Sequence, residues 1–328
     1  MSKREEFTAI GNGAYEERSV AKDQVSRRGF MRKSFLAAAG ATAALSLEER
    51  ALLAGPSSKS IAKEPLSGTL PMRKLGDLNI SRLFMGGNLI GGWAHSRDLV
   101  YVSKLVKAYH TDEKIFETLE LAEQHGINAI LTNPVSARVI NLYWKQRGGR
   151  IHWFSDCAMG GAGLTTGIKV SIDNGAHAVY VQGGIADREV EEGRVAVLGE
   201  ALELMKQNRV LGGIGAHKLQ TVKACVEAGL NPDFWVKTLH RLDYWSAKVQ
   251  PENDNIWCRE PEETIQYMRT IKKPWIAFKV MAAGAIPPKQ GFSYAFLNGA
   301  DFVCAGMFDF QVVDDVTIAK NILKQSEA

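Results

Sequence analysis

The 328-residue sequence lacks a long apolar run and has little excess of either charge. The mildly apolar stretch between Ser34 and Ser46 is shorter than the roughly twenty residues that a membrane-spanning helix needs. The formal net charge is only +4, so the composition gives no indication of a nucleic-acid surface. These absences favour a globular chain whose partner is a small molecule.

Cysteine is scarce, and its spacing excludes the familiar CxxC motifs of zinc and redox sites. The four cysteines are Cys157, Cys225, Cys258 and Cys304, and each is far from the next. An oxidising compartment would permit disulfides, but buried thiols are the expected state.

The chain also has no glycine fingerprint after its first predicted strand, where Gly86-Gly87-Asn88 stands. This disfavours the alternative architecture, a doubly wound open sheet that binds a dinucleotide.

The first part of the chain resembles a twin-arginine export signal. Residues 26–33 (Ser-Arg-Arg-Gly-Phe-Met-Arg-Lys) form a basic region, and a short Ala- and Gly-rich segment follows. We therefore assign 1–56 to the signal region, 57–69 to a polar linker and 70–328 to the folded domain. The resemblance implies contact with the twin-arginine translocation machinery and a periplasmic or extracytoplasmic location.

Short apolar runs and amphipathic segments alternate from residue 82 to the end of the chain, after a small hairpin in 71–81. Eight such strand–helix units predict a (β/α)8 TIM barrel of the α/β class with an N-terminal β-hairpin. The predicted strands are 82–86, 127–132, 151–155, 178–181, 210–215, 234–239, 275–278 and 301–305. The predicted helices include 112–125, 137–146, 164–174 and a long one at 190–207.

A polar residue stands at the carboxyl end of nearly every predicted strand, which is where barrel enzymes place their active sites. These residues are Asn88, Asn133, Asp156, Gln182, His217, His240 and Lys279. The pattern predicts a polar rim around one opening, with Asn88, Asn133 and Gln182 as candidates to bind substrate.

Two histidines and one aspartate in this ring suggest either a metal site or acid–base chemistry. His217 and His240 end consecutive strands, and with Asp156 they form a set suited to zinc, manganese or iron(II). Gln182 would be a fourth, weaker ligand. A polar rim without metal is the competing interpretation, and a structural role for His240 is another.

Lys279 is the fourth candidate catalytic residue. It follows the apolar run Trp275-Ile276-Ala277-Phe278, so burial would disfavour its charged form and lower its pKa. A lysine of this kind serves as a nucleophile, a general base or a cation that stabilises an enolate. A structural ion pair is the alternative.

Two loops supply further candidates for substrate binding. The long connection after the first strand contains Trp93 and His95, and the loop after His240 contains Arg241 and Tyr244. Trp93 could stack on a sugar ring, although aromatic residues in such loops are often part of the core.

The hairpin and first strand resemble the aldo/keto reductases. Residues 73–83 (Arg-Lys-Leu-Gly-Asp-Leu-Asn-Ile-Ser-Arg-Leu) are similar to the opening of that family, which closes the bottom of its barrel. The likeness continues at 126–128, 213–215, 276–278 and around Gly306, and so covers about 70–325. It implies the family's barrel and an NAD(P) cofactor.

The reductase machinery of that family is not conserved in this sequence. Its catalytic Asp and Tyr align with Leu131 and Ser136, its Lys falls near Asp156, and its His falls on Gln182. Leu131 and Ser136 cannot supply a proton donor of tuned pKa for carbonyl reduction.

The cofactor positions diverge as well. The glutamine that holds the nicotinamide aligns with Val236, and the arginine for the adenosine phosphate aligns near Asp309, where a carboxylate would repel phosphate. Gly306 lies in a segment that resembles the last-strand phosphate sites of barrels, so Gly306 and Asp309 are the candidate cofactor-binding residues.

The leading hypothesis is an exported enzyme that acts on a small polyhydroxylated carbonyl compound, such as a sugar or keto-sugar. Its reaction would be of the isomerase, epimerase or lyase type. One alternative is an oxidoreductase that binds NAD(P) in an unusual way. Another is a ligand-binding barrel without catalytic activity.

Overall fold

The computed structural model describes residues 69–94, 96, 99, 101–248 and 256–327. The predicted export signal, almost all of the linker and the candidate residue His95 lie outside the described residues, so those assignments stay predictions. Within the described part of the chain, no helix has the length and apolar character needed to cross a membrane.

Ten strands and ten α-helices alternate along the described chain. The strands are β1 Met72–Leu75, β2 Leu78–Ser81, β3 Leu83–Gly86, β4 Ala129–Thr132, β5 His152–Ser155, β6 Ala178–Val181, β7 Leu211–Ala216, β8 Phe234–Thr238, β9 Trp275–Phe278 and β10 Phe302–Ala305. The helices are α1 Val102–Tyr109, α2 Asp112–Gln124, α3 Ala137–Arg147, α4 Leu164–Asp173, α5 Gly183–Glu191, α6 Val195–Gln207, α7 Leu219–Glu227, α8 Pro261–Thr270, α9 Pro288–Leu297 and α10 Asp309–Glu327. Short 3₁₀ turns occupy Pro134–Ser136 and Trp245–Lys248.

Strands β3 to β10 are parallel and close into a barrel, with β10 hydrogen-bonded to both β9 and β3. This confirms the predicted (β/α)8 fold. The predicted hairpin is also present: β1 and β2 pair antiparallel around the Gly76-Asp77 turn. The Asn128 side chain, just before β4, accepts a hydrogen bond from the Ser81 backbone N–H at 2.8 Å and so attaches the hairpin to the barrel.

A cluster of phenylalanine rings fills the inside of the barrel. Phe84 contacts Phe154 and Phe302 edge to face, with ring centroids 5.0 and 5.6 Å apart, and Phe154 contacts Phe234 at 5.6 Å. All four rings are fully buried. Gly213 on β7 leaves room for this layer, because a Cβ there would lie 2.6 Å from the Phe234 ring. A second apolar layer packs the outer faces of the strands against the helices.

One predicted helix is divided in the structure. The sequence pattern predicts a single helix at 190–207, whereas α5 ends at Glu191 and α6 begins at Val195. The break comes at Gly193, whose φ of +73° lies in the left-handed region that glycine adopts readily. The division matters for the site because α5 begins directly after β6 and carries the buried Asp187.

Gly167 is the position where α4 packs most tightly against the loop after β5. A Cβ at Gly167 would lie 1.9 Å from the backbone oxygen of Cys157, whose own φ is +50°. We predict that Gly167→Ala lowers the free energy of unfolding by about 2 kcal/mol or more, because backbone atoms must move. Urea unfolding measures this change.

The matched control for this prediction is Gly199→Ala in α6, another glycine inside a helix. Its new Cβ would approach only the tip of the Leu230 side chain, at 3.1 Å. The gain in helix propensity offsets that contact, so we expect a change of less than about 1 kcal/mol. Equal effects of the two substitutions would show that the Gly167 contact is not specific.

Candidate functional site

A cavity of about 560 Å³ opens at the carboxyl ends of the barrel strands. We call it the first cavity. The strand ends contribute Gly87, Asn88, Thr132, Asp156, Gln182, His217, Lys279 and Gly306 to its lining. Helix α1 and the loop before α9 add an apolar wall that includes Val106, Met281 and Ile286. The structure thus brings five residues of the predicted polar rim into one cavity: Asn88, Asp156, Gln182, His217 and Lys279.

Asp156 follows β5 and has an unusual carboxyl group. Burial raises its pKa to about 6, and one hydrogen bond from the backbone N–H of Ala158 to its Oδ1, 2.9 Å long, opposes that shift. The nearby phenol of Tyr180 also lines the cavity, and burial raises its pKa well above the ordinary value. A carboxyl group with a pKa near 6 can both donate and accept a proton at neutral pH.

His217 follows β7 and is oriented by Asp187. The Asp187 Oδ2 atom lies 3.0 Å from the His217 Nδ1 atom and 3.1 Å from its backbone nitrogen. Because a carboxylate only accepts hydrogen bonds, the Nδ1 atom carries the proton, and Nε2 is left as the basic nitrogen. Burial lowers the pKa of His217, while Asp187 raises it and the charges of Lys279 and Lys237 lower it further.

Asp187 is a residue that the sequence pattern did not indicate. It lies within α5, of which the predicted helix 190–207 covers only the last two residues, and the residue is only 6% exposed. Burial alone would raise its pKa, but hydrogen bonds from His217 and Thr221 bring it below the ordinary value. The sequence feature that could have indicated Asp187 is an acidic residue about one turn into a helix that begins at the end of a strand.

Lys279 and Trp257 lie beside His217. The Lys279 Nζ atom is 4.0 Å from the centre of the Trp257 ring, a cation–π contact, and the Trp257 and His217 ring centroids are 4.9 Å apart. Lys279 adopts a φ of +56°, which is uncommon for a residue other than glycine. Trp257 belongs to the connection between β8 and α8, and no sequence pattern singled it out.

His240 does not belong to the site, and the predicted metal set is not assembled. Its Nε2 accepts hydrogen bonds from the backbone N–H groups of Trp257 and Cys258, at 3.0 and 2.9 Å, and its Nδ1 donates to the Arg241 oxygen at 3.0 Å. Both ring nitrogens are therefore occupied, so His240 is neither a ligand nor an acid–base group. Among the described residues, no three His, Cys, Asp or Glu side chains form a group that could hold a metal ion.

Three further predicted substrate-binding residues lie outside the first cavity. Arg241 forms an ion pair with Asp243, and Tyr244 packs edge-on against the His240 ring. Trp93 is 49% exposed, and the Lys107 ammonium lies over its ring. These loop residues are engaged with their own surroundings, and their role in substrate binding stays a prediction.

The remaining candidates are Asn133, Gly306 and Asp309. Asn133 is buried and does not line the cavity. Gly306 does line it. Asp309 is the first residue of α10 and accepts hydrogen bonds from the Tyr109 hydroxyl at 2.6 Å and from Lys114 Nζ at 3.3 Å. Its carboxylate would repel a phosphate group at this end of the helix.

A second cavity, of about 920 Å³, adjoins the first. The two share Gln182, His217 and Trp257, which therefore form the boundary between them. Gln182 is fixed there because its side-chain oxygen accepts the Ile185 N–H at 3.0 Å and caps α5. Asp187 lines the second cavity, so the His217–Asp187 pair lies between the two spaces.

The four cysteines are all buried thiols, as the sequence analysis expected, and no two of them form a disulfide. Cys304 on β10 lines the first cavity. Burial raises its pKa to about 12. A thiol with that pKa is protonated at neutral pH and is a poor nucleophile.

Comparison with known proteins identifies the fold. No family model matches the sequence, and no curated protein matches it either. A solved structure from Pseudomonas aeruginosa, provisionally described as an aldo-keto reductase, superposes with a TM-score of 0.57 at 17% identity over 81% of this chain and 99% of that chain. A second structure with the same description and source gives 0.56 at 17% identity over 78% and 98%. The barrel is thus shared with aldo/keto reductase-like structures.

We predict that the buried carboxyl of Asp156 makes the fold less stable at neutral pH. A folded-state pKa of about 6, above the ordinary 3.8, means that ionisation is penalised in the folded protein. The penalty is fully present above pH 6 and fades as pH falls toward 4. Asp156→Asn should therefore raise the free energy of unfolding at pH 8 by roughly 3 kcal/mol, and the gain should shrink at pH 4.5. Urea unfolding at both pH values measures it.

Asp315→Asn is the matched control, since burial and the charge of Asp314 also raise the Asp315 pKa to about 6. Asp315 lies in α10 and does not line the first cavity. Both variants should show the same pH-dependent gain, but only Asp156→Asn should affect activity. An Asp156→Asn protein that is no more stable at pH 8 than the parent would contradict the assignment.

Proposed function

We propose that this protein is an enzyme that transfers a proton next to the carbonyl group of a small hydroxylated carbonyl compound, such as a sugar or keto-sugar. The reaction would be an isomerisation, an epimerisation or a related elimination. The observation that carries the proposal is the His217 imidazole, which Asp187 orients and which shares one cavity with Asp156 and Lys279. Three groups that can move a proton or stabilise a developing anion thus face the same space.

His217 is the proposed general base. Its Nε2 removes the proton from the carbon next to the carbonyl. The electron pair of that C–H bond forms a carbon–carbon double bond, and the π pair of the carbonyl group moves to its oxygen to give an enediolate. Asp187 stabilises the imidazolium that forms, as expected for a carboxylate held on Nδ1. The lowered pKa of His217 keeps the imidazole neutral, and therefore basic, at neutral pH.

Lys279 and Asp156 complete the proposed mechanism. The Lys279 ammonium lies near enough to His217 to lower its pKa, and it would stabilise the negative oxygen of the enediolate. Asp156, with a pKa of about 6, would return a proton to the intermediate. The two carboxyl groups thus have different roles, since hydrogen bonds keep Asp187 ionised while burial tunes Asp156.

The size and lining of the first cavity support a small substrate. A volume of about 560 Å³ is within the range of small-molecule sites. Asn88, Thr132 and Gln182 supply hydrogen-bonding groups near its floor, where hydroxyl groups would bind. The wall formed by α1 and the loop before α9 is apolar, so it would exclude water from the enediolate.

The test is hydrogen exchange. The purified protein is incubated in D₂O with trioses, tetroses, pentoses, hexoses and their ketose isomers, and proton NMR follows loss of the signal next to the carbonyl. We expect exchange with at least one compound, and we expect His217→Gln and Lys279→Met each to slow it by about a hundredfold or more.

His125→Gln is the control, because His125 ends α2 and lies outside both cavities. It should exchange substrate at the parental rate. Equal rates in parent and His217→Gln would remove the proposal. Saturable binding of a carbonyl compound without any exchange would favour the ligand-binding barrel instead.

A nicotinamide-dependent oxidoreductase is the second candidate. It is favoured by the structural likeness to proteins described as aldo-keto reductases. Asp309 argues against a cofactor phosphate beside α10. We predict that NADPH and NADH leave the intrinsic tryptophan fluorescence unchanged up to millimolar concentration. Saturable quenching by either cofactor would favour the oxidoreductase.

A further inference from the structure

Lys237 is a fully buried lysine on β8, one strand away from His217. Its neighbours Phe234 and Val236 belong to the core inside the barrel, whereas Trp235 packs in the outer layer. Because side chains alternate along a strand, Lys237 points with Trp235 toward the layer between strands and helices. Its side chain is 1% exposed, and it does not line either cavity.

The Lys237 ammonium is bonded to backbone oxygens. Its Nζ donates to the carbonyl oxygen of His217 at 2.8 Å and to that of Thr238 at 2.9 Å. The first of these bonds crosses from β8 to the residue that follows β7. It therefore fixes the point at which the chain leaves the barrel to present the His217 imidazole.

His217 is consequently held through three of its polar groups. Asp187 accepts from its backbone N–H and from its ring Nδ1–H, and Lys237 donates to its carbonyl oxygen. Two buried side chains of opposite charge thus fix one imidazole.

A buried lysine is costly to a fold. Removing an ammonium group from water costs several kcal/mol, and an apolar side chain of similar size at such a position is often neutral or stabilising. Burial lowers the pKa of Lys237, and the carboxylates of Asp187 and Glu260 act in the opposite sense. Core packing does not account for a lysine at this buried position. Its hydrogen bond to the His217 backbone indicates a role in the candidate site instead.

We propose that Lys237 is a positioning residue for the general base, which it holds in place through the His217 carbonyl while Asp187 orients the ring. The expected effect of Lys237 on catalysis rests on the proposed function. Its effect on the position of His217 is independent of that function. In this proposal Lys237 does not contact the substrate.

The experiment measures His217 directly. Protein labelled with ¹⁵N-histidine is titrated by NMR, and the His217 signals among the seven histidines are assigned with His217→Gln. The charged groups that influence His217 are Asp187 on α5, Lys237 on β8 and Lys279 after β9. We expect Lys237→Met to raise the pKa of His217, since a neighbouring positive charge is removed, and to weaken the preference for the Nδ1–H tautomer.

The matched control is Lys320→Met, which removes another buried lysine, on α10. It should leave the pKa and tautomer of His217 unchanged. With a substrate from the exchange assay, Lys237→Met should lower kcat by about tenfold or more while KM stays nearly constant. If Lys237→Met does not fold, Lys237→Gln gives the same readout with a shorter donor.

A folded Lys237→Met protein with the parental pKa and tautomer of His217 would overturn the proposal and leave Lys237 as a structural residue. The NMR result does not depend on any substrate. A weakened preference for the Nδ1–H tautomer without exchange on any carbonyl compound would therefore reject the proposed function and retain the positioning role.

Discussion

The carboxylate of Asp187 is the interaction on which the candidate site depends. It accepts hydrogen bonds from the backbone N–H and ring Nδ1–H of His217, from the Lys218 N–H and from the Thr221 hydroxyl. The Lys218 and Thr221 bonds attach Asp187 to the beginning of α7. One side chain of α5 therefore contacts a neighbouring helix and orients the imidazole, so the geometry of His217 is coupled to the packing of two helices on the barrel.

Burial tunes both sides of the first cavity, with opposite effects on the two groups. It lowers the pKa of His217, against the raising effect of Asp187, so the imidazole stays neutral but basic. It raises the pKa of Asp156. Groups that are pushed toward complementary protonation states are the usual basis of acid–base catalysis at constant pH. The residues that follow different strands of the barrel have different surroundings, so their pKa values are shifted in different directions.

Sequence patterns predicted the barrel well because its signals are periodic and local. Apolar strands, amphipathic helices and polar residues at strand ends all follow from the need to bury one surface and expose another. The sequence pattern singled out Asp156, His217 and Lys279 in this way, and the structure places all three on one cavity. The break between α5 and α6 was missed because Gly193 interrupts a helix that hydrophobic spacing alone would continue.

The errors arose where function depends on contacts between distant residues. His240 occupies a strand end just as His217 does, and only the fold shows that two backbone N–H groups use its Nε2. Asp187, Trp257 and Lys237 lie on a helix, in a long loop and on the outer face of a strand. No spacing rule connects those positions to a strand end, so residue type alone could not assign them.

The phenylalanine layer inside the barrel limits how a molecule can enter and leave along the barrel axis. Phe84, Phe154, Phe234 and Phe302 block the barrel axis below the first cavity, and the hairpin residues Leu75 and Ile80 belong to the same core. A molecule that enters along this axis has no way through to the far end. It must therefore leave from the same end of the barrel at which it entered.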